Sequence, residues 1–187
     1  MNKTTIGPAA CTTAVILALS CLGADGPKQT IQGGGLKFEA PAAWKSTRPG
    51  SAMRLAQLSI PAVDPDKDAA ELVVFAFPGG AGSVQDNIKR WQSQFVDESG
   101  NPAKITREKR KGKNVDVIYA EVGGRYVAAV RPGSDEHHDK PGYRLLGGIV
   151  ETPGNAFFLK LVGPDKTVKA AKDAFDDLLS SITVEDK

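Results

Sequence analysis

Residues 71–95 read Glu71-Leu72-Val73-Val74-Phe75-Ala76-Phe77-Pro78-Gly79-Gly80-Ala81-Gly82-Ser83-Val84-Gln85-Asp86-Asn87-Ile88-Lys89-Arg90-Trp91-Gln92-Ser93-Gln94-Phe95. The first seven are apolar on both alternating faces, the pattern of a strand covered on both sides and therefore central in its sheet. Pro78 and three glycines then break the chain. Ser83 is a good helix N-cap, and Asp86 three residues on favours the positive helix start. Val84, Ile88, Trp91 and Phe95 follow at helical spacing, one stripe of an amphipathic helix. A central strand running into a covering helix sets the fold class.

Outward from this unit the chain is strand-rich. Leu36-Lys37-Phe38-Glu39 alternates apolar and polar and ends at Pro41, with Trp44 expected at a core edge. Ala52 to Ile60 is a second strand, stopped by Pro61. Ile105–Arg110 and Val115–Glu121 read as paired strands around Lys111-Gly112-Lys113-Asn114, and Arg125–Val130 extends or adds a strand. Tyr143–Glu151 and Asn155–Val162 form a hairpin whose turn is Thr152-Pro153-Gly154-Asn155, with Pro presetting one central dihedral and Gly taking the positive one. Gly163-Pro164-Asp165 opens a last helix whose stripe is Val168, Ala171, Phe175, Leu178, Leu179 and Ile182. The expectation is an α+β fold: a mainly antiparallel sheet with two amphipathic helices packed on it.

The N-terminus reads as an export signal. Lys3 precedes the apolar run Ala14–Leu22, and the small residues Gly23-Ala24 follow. The run is far shorter than the roughly 20 residues a membrane-spanning helix needs. Two processing routes stay open: cleavage after Ala24, or lipidation of Cys21, since Ala18-Leu19-Ser20-Cys21 is an imperfect lipoprotein box. The expected organisation is a signal segment over 1–24, a flexible Gly-rich linker over 25–35 and a single domain over 36–187. The expected location is the periplasm or cell envelope, with membrane contact only through an anchor at Cys21.

Both cysteines, Cys11 and Cys21, lie in the signal. The domain therefore has no disulfide, thiolate metal site or cysteine nucleophile. Lys and Arg number 24 and Asp and Glu 22, and the formal charge is +2, of which Lys3 in the signal carries one. This balance speaks against nucleic acid as a partner. The basic run Arg107-Glu108-Lys109-Arg110-Lys111-Gly112-Lys113 is broken by an acid and reads as a solvated hairpin.

The layout, and three stretches in particular, resemble the PsbP-like fold, shared by an extrinsic photosystem II subunit and a Ran-binding nuclear import factor. The stretches are Leu36-Lys37-Phe38 with Pro41 and Trp44; the helix carrying Asn87, Arg90, Trp91, Gln94 and Phe95; and Phe157–Pro164 running into the terminal helix. The resemblance spans Leu36 to Val184, extends to uncharacterised exported bacterial proteins, and implies an α/β/α sandwich. Its motifs are fold-level, so no activity and no site residue comes with it.

Candidate chemistry is sparse. The Gly79–Gly82 loop before a helix has neither the Walker nor the dinucleotide spacing, and a tight turn with a capped helix accounts for it. Ser134-Asp135-Glu136-His137-His138-Asp139-Lys140 holds both histidines and is the one candidate metal loop, though neighbouring residues seldom converge on one ion. No nucleophile elbow is present. Asn87 and Arg90 flank the helix stripe and are expected to anchor the glycine loop. No catalytic, cofactor or metal residue is assigned; Cys21 is the single modification candidate. The function expected is a non-enzymatic exported accessory or binding module for a protein or small ligand. A metal-binding accessory protein using His137 and His138 is the alternative, and a hydrolase the third.

Overall fold

The structure is a computed structural model, and residues 26–185 are described. The expected signal segment and Cys21 lie outside them. Two antiparallel sheets are present. The larger has the order β3(Lys45–Ser46), β4(Arg54–Ile60), β5(Ala70–Pro78), β10(Asn155–Pro164), β9(Lys140–Thr152), β8(Asp116–Tyr126) and β6(Phe95–Val96), with β7(Thr106–Lys111) also paired to β8. The smaller is β1(Lys28–Gly33), β2(Leu36–Pro41) and β11(Thr183–Val184). Helix α1(Val84–Gln92) covers one face of the large sheet; α2(Asp165–Ala170) and α3(Lys172–Ser181), with the small sheet, cover the other.

Strand β10 shows how the sheet separates two cores. Phe157, Leu159 and Leu161 enter the core shared with α3 and the small sheet, while Ala156 and Phe158 enter the core under α1. Its neighbour β9 carries Gly147 and Gly148, one on each face. A Cβ on Gly147 would run into the Trp91 ring of α1, and a Cβ on Gly148 would sit 2.7 Å from Leu179 of α3. These two glycines let both helical layers approach the sheet closely.

The central strand 71–77, the capped helix and the 152–155 turn are as read: Ser83 Oγ accepts from the Asp86 amide at 3.1 Å, and Gly154 has φ +84°. Four details differ. The segment 25–35 is not a tether throughout, because Lys28–Gly33 pairs with Leu36–Pro41 along its whole length. Gly34 and Gly35 (φ +59° and +87°) form the two-residue hairpin turn, so the glycines that suggested flexibility impose a reversal. Strand β2 consequently belongs to the small sheet. Phe95 lies beyond α1, on β6, where its ring meets Tyr126 at 5.1 Å. The terminal helix is split at Ala171 into α2 and α3. Strand β8 continues through Gly123 and Gly124 to Tyr126, and the 127–139 segment then crosses back before β9.

Candidate functional site

Asn87 and Arg90 brace the glycine loop as expected. Asn87 Nδ2 donates to the Ala81 and Ser83 carbonyls at 2.9 and 3.0 Å, and Arg90 donates to Asn87 Oδ1 at 3.0 Å. Asn87 is buried and both its amide bonds go to the loop, while Arg90 holds Asn87 from outside, which gives these residues a structural task. The basic strand β7 is largely exposed; Arg110 lies 3.9 Å over the Tyr119 ring and pairs with Asp176 of α3.

The two histidines are separated in role. His137 is exposed, with Nδ1 3.0 Å from the Asp135 carbonyl, whereas the half-buried His138 ring stacks on Tyr126 at 5.2 Å. Among the described residues no three His, Asp, Glu or Cys side chains gather in a metal-binding group.

The site that sequence reading missed lies on the α1 face of the large sheet, beside the helix rather than beneath it. There α1 covers β8 and β9 but leaves β4, β5 and part of β10 open. A cleft of about 460 Å³ results, walled by Tyr126 and Tyr143 and rimmed by Ala129, Val130 and His138 of the 127–139 segment. The volume suits a small molecule. Its floor holds Val73, Phe75 and Val162, and three charged groups enter it: Arg54, Glu71 and Lys160.

Lys160 occupies the position between Phe158 and Val162 on the same side of β10, where alternation calls for an apolar residue. The residue is half-buried overall, with its ammonium end set among protein atoms. Lys160 Nζ donates to Gln94 Oε1 at 2.6 Å and lies 5.5 Å over the Tyr126 ring. Burial lowers its pKa to about 8; Arg54 adds to the effect and Glu71 opposes it. An ammonium has three donors, and Gln94 accepts one. Arg54 donates to Gln57 Oε1 at 2.8 Å, and Gln57 Nε2 in turn donates to the exposed Glu71 at 2.6 Å. Among the described residues, neither cation has a carboxylate oxygen within 4 Å. On the outer side, Tyr143 donates to Asp68 Oδ2 at 2.9 Å. Burial first, then that bond, pushes Tyr143 up to about 12, and the same bond holds Asp68 below the usual carboxylate range.

One signal for this site was legible: a lysine inside the otherwise apolar run Phe157-Phe158-Leu159-Lys160-Leu161-Val162. Its companions come from β4, β5 and β8, and nothing in their own neighbourhoods marks them.

No protein-family model matches the chain, and no curated protein sequence matches it. Among solved structures, it is similar to the solution structure of cyanobacterial PsbP (CyanoP) from Synechocystis, with 16% identity, a TM-score of 0.52, and coverage of 87% of this chain and 96% of that one. A crystal structure from Bacteroides thetaiotaomicron aligns over 87% of this chain and 49% of that one, with 16% identity and a TM-score of 0.47. The first likeness, together with the antiparallel sheets and packed helices, shows that the chain has a PsbP-like α+β fold.

Proposed function

We propose that this PsbP-like chain is an exported, non-enzymatic accessory or binding module that holds its ligand or partner in the cleft bounded by β4, β5, β10 and the 127–139 segment. The observation that carries the reading is Lys160: a cation on the central strand β10, beside a cavity, with one neutral acceptor and no carboxylate oxygen within 4 Å among the described residues. Proteins seldom keep a desolvated charge without compensation, and a bound group is one form of compensation. Export is supported by the leader-like sequence Lys3–Ala24, and a binding role by the finding that, among the described residues, no base, nucleophile and orienting partner stand in hydrogen-bonded succession at the cleft. The fold itself hosts unrelated roles and decides none of these.

The test is in-cell cross-linking from a photoreactive residue at Val130, an exposed position on the cleft rim. A discrete adduct, lost on competition with unlabelled protein, is expected. A rim that yields only background while a control position on β7 yields specific adducts would overturn the cleft as the binding site. Mass spectrometry of the mature N-terminus separates the two export routes: a free Asp25 amine removes the lipid anchor, and a diacylglyceryl Cys21 establishes it.

A further inference from the structure

We propose that the cleft binds a small organic acid, a carboxylate or phosphate on a compact apolar body, with Lys160 and Arg54 taking the anion and the Val73–Phe75 floor taking the body. This rests on the cleft being the binding site and adds the chemical class of what enters.

The argument is a contrast between the cations of one sheet. On the α3 side every half-buried cation has a carboxylate. Arg144 reaches Glu121 at 2.5 Å and Asp165 at 2.7 Å, Lys172 reaches Glu121 at 2.8 Å, and Arg110 pairs with Glu108 at 2.6 Å and with Asp176. On the cleft side Lys160 and Arg54 are also half-buried yet meet only the neutral oxygens of Gln94 and Gln57. Glu71, the cleft's carboxylate, is exposed and takes its hydrogen bond from Gln57. With two cations against one acid, the cleft has an excess of positive charge and spare donors, the complement of an anion. A guanidinium and an ammonium lining one cleft suit an oxyanion, because the fork can grip two oxygens while the ammonium adds a point charge.

The apolar half of the ligand follows from the floor and walls. Val73 and Phe75 from β5 and the Tyr126 ring offer aromatic and aliphatic surface within the same cavity. Tyr126 is held in place by stacking on Tyr143 and His138, at 6.2 and 5.2 Å. A purely inorganic anion would satisfy the charges and leave that surface wet.

The titratable groups sharing the cleft with Lys160 are Glu71 from β5, Arg54 from β4, Tyr126 from β8, Tyr143 from β9 and His138 from the 127–139 segment. A bound anion favours the charged ammonium, so binding draws a proton onto Lys160. At pH 8, near its free pKa, uptake approaches roughly half a proton per site.

The experiment is calorimetry and amide-resonance mapping on the mature chain with three probes: phenyl phosphate, inorganic phosphate and benzylamine. Phenyl phosphate is expected to saturate, to shift Tyr126, Val130 and Lys160, and to bind at least tenfold more tightly than inorganic phosphate. Benzylamine is expected not to bind. Repeating the titration at pH 8 in buffers of different ionisation enthalpy reads the proton uptake, which Lys160→Gln removes together with at least tenfold of affinity. Lys160→Arg keeps the affinity, and Arg54→Gln, on β4, checks the result should Lys160→Gln melt early. Benzylamine binding as well as phenyl phosphate overturns the anion assignment, as does unchanged affinity in both variants. No probe binding while the Val130 cross-linker still captures a partner overturns the ligand class and leaves the binding role standing. No binding and no adduct sinks both.

Discussion

The two faces of the large sheet are built from the same strands and finished differently. The face under α3 is closed: Phe157, Leu159, Phe175 and Leu179 are fully buried, the small sheet completes the cover, and the charges at its margin are paired in a chain running Arg110–Asp176, Lys172–Glu121–Arg144–Asp165. The other face is closed only where α1 sits. Beside α1 the sheet turns polar, and Arg54, Glu71 and Lys160 replace the apolar residues that a covering layer would require. Helix α1 spans nine residues, too few to cross a seven-strand path, so part of that face is left to solvent. The difference teaches that stability is concentrated on one side and that the other side tolerates a desolvated charge.

The largest test of this division is truncation on the closed face. Phe175→Ala is expected to cost about 3–5 kcal/mol, read as a lower denaturation midpoint, because the cavity it leaves is walled on every side. If Val162→Ala, on the open face, cost as much, the contrast between faces would fail.

Lys160 supplies the next test, through pH. Its folded pKa lies below its unfolded value of 10.5, so the folded state binds fewer protons between about pH 8 and 10.5. Stability contributed by this group therefore rises with pH across that window. The tyrosines act in the opposite sense there, since Tyr126, Tyr143 and Tyr119 are all raised. The quantity to measure is the difference between the wild type and Lys160→Met. The variant is expected to be more stable at pH 7, by on the order of 2 kcal/mol, with the gap narrowing toward pH 10. A gap independent of pH would mean that the ammonium is not desolvated.

Gly147→Ala tests how α1 is seated. The added methyl meets the Trp91 ring, so a loss of about 1–3 kcal/mol is expected, with quenching or shift of the Trp91 fluorescence as α1 lifts. The smallest effect belongs to the closed core. Trp44 is fully buried with its Nε1 unpaired, and a buried donor without a partner already costs the native state. Trp44→Phe is therefore expected to change stability by less than about 1 kcal/mol, while Trp44→Ala costs several times more in the same melts.

The two kinds of feature differ in how far apart their determinants lie in the chain. Apolar alternation in 71–77 and 155–162, the cap at Ser83 with Asp86, the brace by Asn87, and the turn at Pro153-Gly154 are each settled within about ten residues, and each stood in the sequence as it stands in the fold. The reading failed where a partner was distant. Lys28–Gly33 is polar and flanked by glycines, so it resembles a tether until β2 supplies its hydrogen bonds and Gln29 reaches the Pro41 and Trp44 carbonyls. Phe95 fits the stripe of α1, yet its pairing with Tyr126 draws it into a strand.

By itself, then, the sequence determined the α+β class, the hairpin and capped helix, and the absence of cysteine after Cys21. Only the tertiary structure decided that β1, β2 and β11 form a separate sheet and that Arg54, Glu71, Tyr126 and Lys160 share one cleft. The physical reason is that turns, caps and alternation are short-range and written in neighbouring side chains. Strand order and register are set by pairing between remote segments, and a site built across four strands exists only once that register is in place.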